Sequence, residues 1–379
     1  MSKSFLTIGL FILIFISHDC SLFEPEYEYI GDIDKEINEI LSREKIPSLA
    51  ACIIHDTGIV WQNYYGYRDF ANQKAVNSET IYEVASVSKL AIVTAIMQLS
   101  ERGLLDINSD INNYLPFPVK NPHYPETIIT TYILLTHTSG LAWPVDEDEV
   151  LGFYDDFPLD SAPPMRDWIP KYILTNGTWY SSKVWKNTVP GKRELYSNIG
   201  AAILAYLVEV VSGMDFNSYC KQNIFQPLEM INTSYAYSDL NMEKIAKIYS
   251  ENYQTIGFRR QLAFPTHALK TTVRDFSHFI IAYMNKGLYK NKRILKESTV
   301  DDILKIRNPA SGTCLIWDSY LGDWFGHSGG MSGVSAHVAF QHDKKIGVAI
   351  FTNKRNKLVY PGKRIHALIR RIANNYINQ

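Results

Sequence analysis

Apolar and polar residues follow two different rhythms along this chain, and the changes of rhythm divide it. Near the N-terminus, "IGDIDKEINEILSREKIPSL" repeats apolar positions every three or four residues, which predicts an amphipathic helix stopped near Pro47. "AACIIHDTGIVWQNYYGYRD" then alternates around Asp56, Thr57 and Gly58 and predicts a β-hairpin. From about Ile81 to Gly287 the helical period dominates, broken by long polar and aromatic loops. Leu90, Ile92, Val93, Ile96, Met97 and Leu99 are apolar positions on every side, the pattern of a helix buried all round, and Gly103 is a fitting stop. The strand rhythm returns in "SGTCLIWD" and in "GVSAHVAFQHDKKIGVAIFTN", where "HDKK" turns a second hairpin, and "KRIHALIRRIANNYI" closes the chain as a helix. Strands at both ends with helices between predict an α/β (α+β) fold. An antiparallel sheet is built from both chain ends, about 48–68 and 310–353, and is flanked by helices, with an all-helical subdomain inserted over about 81–290. Such a fold leaves a cleft between sheet and helices, a common place for a site.

Length and charge narrow the function classes. The chain has 379 residues, enough for one large core or two coupled subdomains. Its 38 Lys and Arg against 39 Asp and Glu leave no basic footprint for nucleic acid. "MSKSFLTIGLFILIFISHDC" has one Lys and then an apolar run too short to span a bilayer, so residues 1–20 have the form of an export leader and the folded domain is expected from about residue 30 to 379. Cys20 stands where bacterial lipoproteins carry their acylated cysteine, which would tie the N-terminus to a membrane, although His18 and Asp19 occupy places where small residues are usual. The expected setting is therefore periplasmic, cell-envelope or extracellular. Cys52, Cys220 and Cys314 are too few and scattered for a disulfide framework or a zinc site and read as buried thiols.

Three short stretches carry candidate chemistry. In "YEVASVSKLAIV", Ser86 and Lys89 are three apart and share a helix face at the mouth of the apolar segment. Burial would lower the lysine pKa and leave a neutral amine able to take the serine proton, and the helix start would favour developing negative charge at Ser86. The same residues also fit a plain N-cap serine and a lysine reaching out to water. "PGKRELYSNIGAAILAYL" places Tyr196 and Asn198 before a second apolar helix, a phenol able to relay a proton and an amide able to donate and accept, or simply a loop entering an N-cap. "WFGHSGGMSGVSAHVAF" sets His327, Ser328, Gly329 and Gly330 at the start of a strand. Paired glycines weaken a strand unless something approaches its backbone closely, and a substrate pairing with it is such a reason. A bulge beside a satisfied histidine is the plainer one.

"SVSK", "YSN" and "HSGG", in this order and spacing, resemble the serine β-lactamase and penicillin-binding protein superfamily, nearest its branch of class C β-lactamases, D-Ala-D-Ala carboxypeptidases and esterases. "LLTHTSGL", "FPTHALKTTVRDFSHF" and "GVAIFTN" extend the resemblance over nearly the whole chain from about residue 30. It implies a serine hydrolase of the β-lactamase/transpeptidase-like fold. Ser86 would be acylated, and Lys89 and Tyr196 would share general base and acid work. The N–H groups of Ser86 and Gly330 would form the oxyanion hole. Asn198 would orient the substrate amide and Lys89, His327 would set the local field beside Tyr196, and Ser328 would bind a substrate carboxylate or carbonyl. The partner implied is a small-molecule or peptide substrate, with no metal and no cofactor. A catalytically silent binder or scaffold is the rival class. The third motif often opens with lysine in this family, whereas His327 is mostly neutral near pH 7, which argues against an efficient β-lactamase. Asn353 in "FTNK" is a candidate carboxylate contact or a strand end. The aromatic segment from Trp143 to Lys186 is expected either to wall the cleft or to pack onto the helices.

Overall fold

The two ends of the chain meet in one sheet. In the computed structural model, whose described residues are 33–142, 157–258, 261–320 and 323–377, the strands are β1 (Ser48–His55), β2 (Gly58–Asp69), β3 (Lys74–Ala75), β4 (Asp318–Tyr320), β5 (Trp324–Met331), β6 (Val334–Gln341) and β7 (Ile346–Thr352). Their order across the sheet is β4-β5-β6-β7-β1-β2-β3, antiparallel throughout. The first strand joins the last with Ala51 opposite Ile350 and Cys52 opposite Ala349. Both predicted hairpins form, β1 to β2 about Asp56 and Thr57, and β6 to β7 across residues 342–345. The leader with Cys20, together with Trp143 and the acidic run at 146–149, lies outside the described residues.

The sheet is buried on both faces, which is why β6 and β7 have no exposed residue. Alternation along the strands separates two sets of side chains. Leu49, Ala51, Ile53, Val348 and Ile350 pack with Ile37 and Ile40 of α1 (Ile33–Arg43) and with Ile365 and Ile369 of α9 (Arg364–Ile377). Ala50, Cys52, Ile54, Ala349 and Phe351 face the other layer, the helical core. That layer holds α2 (Lys89–Glu101), α3 (Thr131–Leu135), α4 (Met165–Ile173), α5 (Asn198–Ser212), α6 (Phe216–Cys220), α7 (Val273–Met284) and α8 (Glu297–Leu304). Helix α2 is buried from Lys89 to Leu99 and ends at Arg102, before Gly103 at φ +72°. Helix α5 is buried from Ile199 to Val208; Ser197 Oγ caps it by accepting from Gly200 N at 3.0 Å, and Gly213 ends it at φ +71°.

Two expectations need correction or choice. The apolar run Cys314–Trp317 is not strand: Ile316 turns at φ +65°, and the segment's N–H groups go to loop and helix carbonyls of Leu135, Ile303 and Trp317. Four consecutive buried side chains fit a loop tucked into the helical core as well as a two-sided strand, so periodicity alone could not separate them. In the aromatic segment, Trp168 and Tyr172 of α4 are fully buried in the helical core, and Trp185 is buried there with Nε1 donating to Ile173 O at 2.9 Å. Its described aromatics therefore pack onto the helices. Cys52, Cys220 and Cys314 are buried free thiols, and burial pushes Cys52 and Cys314 up to about 12.

Candidate active site

Ser86 sits in a short 3-10 turn, Ala85–Ser88, that runs directly into α2. The turn is entered from a two-residue bridge, Tyr82 opposite Thr271 and Glu83 opposite Lys270, and Val84 N donates to Leu269 O at 3.1 Å. Ala85, immediately before Ser86, has φ +44°, a left-handed conformation that costs about 1–2 kcal/mol in an L-residue. Ser88 holds it: its Oγ donates to Ala85 O at 2.6 Å and accepts from Leu269 N at 3.0 Å. The half-buried Ser86 is thus set on a braced turn at the N-terminus of a core helix.

Lys89 lies beneath it with no exposed surface, so it does not reach out to water. Its Nζ donates to Thr266 O at 2.8 Å, stands 3.0 Å from Ser86 Oγ and lies 5.1 Å from the centroid of the Tyr196 ring. Burial, with no carboxylate alongside among the described residues, pushes the amine well below its ordinary value, toward the neutral form that can accept the serine proton. Tyr196 comes from the loop leading into α5. It is 44% exposed overall, yet burial around its phenol, with Asp318 adding to it, pushes the group above its ordinary value, against a hydrogen bond with Ser86 that pulls the other way.

Two imidazoles flank that phenol. His327 of β5 is 6.4 Å from the Tyr196 ring, and His137 is 4.6 Å from it on ring centroids. Burial, and then the nearness of Lys89, pushes both down to about 3. His327 Nδ1 is 2.7 Å from Ser328 O, which the Nδ1–H tautomer satisfies. Asp318, on β4, is pushed up to about 7 by burial and by Glu194. Burial thus disfavours the charged form of Lys89, Tyr196, His137, His327 and Asp318 alike.

Strand β5 closes the other side. A methyl at Gly329 would lie 2.2 Å from Val84 O and 3.0 Å from Ser86 N, so the turn bearing Ser86 rests on the bare backbone at this point. A methyl at Gly330 would lie 2.1 Å from the hydroxyl of Tyr360 behind the strand. Gly329 is thus explained by the protein's own approach to the backbone, whereas Gly330 meets only the end of a side chain. Strand β4 pairs with β5 only as far as Asp318 opposite Gly326, leaving the edge from His327 onward open among the described residues. Met331 and Val334 close the two-residue turn to β6. Alternation along the ladder then turns the N–H and C=O of Ser328 and Gly330 toward the open edge.

The beta-lactamase family matches the chain from residue 33 to 370. The chain belongs to that family. Among curated relatives, Protein flp of Staphylococcus aureus strain N315 is 22% identical over 90% of this chain, which spans 66% of that protein's length. Among solved structures, the octameric penicillin-binding protein homologue from Pyrococcus abyssi superposes with a TM-score of 0.72 at 22% identity, covering 92% of this chain and 77% of the other. A D-alanine carboxypeptidase from Burkholderia cenocepacia gives 0.69 at 20% identity, covering 90% and 97%. These likenesses fix the mixed fold: antiparallel sheet, flanking helices and helical region.

Within this beta-lactamase family member, Ser86, Lys89, Tyr196 and His327 converge, with Gly329 against the nucleophile's turn and Gly330 on the adjoining open edge. Asn198 opens α5, and its Oδ1 is buried without a hydrogen-bond partner among the described residues, while Lys89 directs its bonds to Ser86 and Thr266. Ser328 departs from expectation. Its Oγ is 3.0 Å from His337 Nδ1 on β6, on the face where His337 meets His366 of α9, so strand alternation aims the hydroxyl away from Ser86. Only the Ser328 backbone faces the open edge. Asn353 is buried just past the end of β7 and donates to Lys247 O at 3.0 Å; it is a strand-end brace. Sequence reasoning singled out neither Thr266, whose carbonyl holds Lys89, nor His137 as site residues, although both lie in the quoted stretches "FPTHALK" and "LLTHTSGL".

Proposed function

We propose that this protein is a serine hydrolase that forms an acyl-enzyme at Ser86. The observation that carries the reading is the 3.0 Å approach of a completely buried lysine amine to Ser86 Oγ. The neutral amine of Lys89 takes the hydroxyl proton as Oγ attacks a carbonyl carbon, and the carbonyl oxygen becomes an oxyanion facing the N–H groups of Ser86 and Gly330. Tyr196, its phenol held protonated, passes a proton to the leaving group as the carbonyl–leaving-group bond breaks, and recovers one through Lys89. Water then cleaves the Ser86 ester by the same groups in reverse. Asn198, whose buried amide oxygen has no hydrogen-bond partner among the described residues, orients the substrate amide and Lys89 in this reading.

The substrate class follows from the charge of the site. A neutral His327 offers no permanent cation for a substrate carboxylate. This favours small esters or peptide bonds of broad specificity over D-amino-acid cell-wall peptides, and both over β-lactams. The test is a time course of intact-protein mass with a panel of activated esters and a penicillin, with Ser86→Ala in parallel. A Ser86-dependent adduct on an ester that forms and decays supports the reading. A long-lived penicillin adduct moves the substrate to a D,D-peptide, and rapid drug turnover moves it to β-lactams. No adduct with any probe would leave a silent binder of peptides or wall fragments.

A further inference from the structure

We propose that His137 is a positioning residue that holds Tyr196 in place for proton transfer, an inference that rests on the acyl-enzyme reading above. Three contacts carry it. His137 O accepts from Leu195 N at 2.7 Å, and His137 Nδ1 accepts from Ser197 N at 3.3 Å. Both neighbours of Tyr196 in the chain are thereby tied to one residue. The imidazole also packs against the phenol ring, 4.6 Å away and tilted by 43°.

The chemistry of the ring fits this use. Accepting at Nδ1 requires that the imidazole be neutral with its proton on Nε2. Burial, followed by the nearby Lys89 and His327, keeps it neutral down to about pH 3. Nε2 is buried and has no hydrogen-bond partner among the described residues, a stability cost that an apolar residue would avoid. The backbone of His137 is left-handed at φ +54°, which asparagine and glycine tolerate and most other residues resist. Those two residues therefore separate the side chain's work from the turn's. Asparagine puts Oδ1 near the place of Nδ1, and glycine keeps only the backbone half of the clamp.

The experiment measures the rate of Ser86 acylation by an activated ester, its pH profile and the melting temperature, in wild type, His137→Gly and His137→Asn. The glycine variant is expected to acylate about 100-fold more slowly, the size of a misplaced acid–base group, and asparagine to recover to within about tenfold of wild type. Freed of its clamp, the phenol of Tyr196 becomes better hydrated and ionises more easily, so the alkaline limb of the glycine variant moves to lower pH. Loss of stability alone would not move that limb. A glycine variant within about threefold of wild type, an asparagine variant no faster than glycine, or an unmoved limb overturns the proposal. Should His137→Gly not fold, His137→Gln takes its place, because its amide reaches the position of Nε2 and not that of Nδ1, and the same outcomes decide. Absence of any Ser86 adduct in the wild type would instead sink the acyl-enzyme reading and this proposal with it.

Discussion

Lys89 and Lys270 are both sealed from water, yet their surroundings give them different work. Lys270 Nζ donates to Tyr235 O and Ala268 O, each at 2.9 Å, and lies 3.7 Å over the ring of Tyr237. Glu83 stands opposite it in the β-bridge and accepts from the hydroxyl of Tyr237. Two carbonyl acceptors and an aromatic face hold the amine in place, and the result is a buried brace. Lys89 meets one carbonyl, a serine hydroxyl and aromatic rings, and burial drives it toward the neutral amine. The same side chain becomes a strut or a base according to whether its amine is spent on backbone carbonyls or stands beside a serine hydroxyl. The two are also linked along the chain. Glu83 is three residues before Ser86, and Lys270 is four after Thr266, so the brace sets both ends of the Lys89 site.

The comparison breaks most sharply under matched substitutions. Lys89→Met is expected to lower acylation about 10³-fold or more while the melting temperature holds or rises, since a buried amine gives way to an apolar side chain of similar size. Lys270→Met is expected to act the other way round. It leaves the carbonyls of Tyr235 and Ala268 without their donor, and a buried acceptor left unsatisfied costs about 1–3 kcal/mol of stability each. Acylation rates and thermal melts on both variants check the contrast. A Lys270→Met protein as stable as wild type would show that the brace is not a brace.

A smaller effect is expected at the contact that fixes the height of Ser86 above Lys89. The methyl of Gly329→Ala meets Val84 O at 2.2 Å, and backbone on both sides leaves no flexible side chain to yield. The turn and β5 must part by several tenths of an ångström or more. A displacement of this kind costs about 100-fold in kcat with the fold intact, measurable with the best ester and by circular dichroism. Unchanged kcat would mean that the turn is not held by β5.

The layout of the fold and the convergence of Ser86, Lys89, Tyr196 and His327 could be read before any coordinates, because each belongs to a periodic segment or a short ordered motif. Helix α2 is apolar on every side, and a polar pair at its mouth stands out against that background. Ser328 was misjudged for a geometric reason: a motif gives spacing, while the face a strand residue takes depends on pairing, and one step along β5 exchanges the cleft for the α9 layer. His137 was invisible as a site residue because its role depends on a loop about sixty positions away. Thr266 acts through its carbonyl, which no side-chain reading can detect. The Cys314–Trp317 run failed for want of a period, being buried on all sides.

The smallest expected effect concerns the acid whose charge reaches Tyr196. Asp318 is raised from 3.8 to about 7 by burial and by Glu194. A carboxyl with a raised pKa binds its proton more tightly in the folded protein than in the unfolded chain. Between about pH 4 and 7 the folded state therefore holds more protons, and the contribution of Asp318 to stability falls as pH rises through that window. Asp318→Asn removes the dependence. The variant's stability advantage should be small at pH 4, grow toward pH 7 and stay level above it, as read from denaturant unfolding at a series of pH values. Because Asp318 also raises the Tyr196 pKa, the variant's alkaline activity limb should move to slightly lower pH. A stability difference that is flat from pH 4 to 8 would mean that Asp318 ionises like a surface carboxylate. The site would then carry a full negative charge beside Tyr196 at neutral pH instead of a partial one, and a cationic substrate would fit it better than a neutral ester.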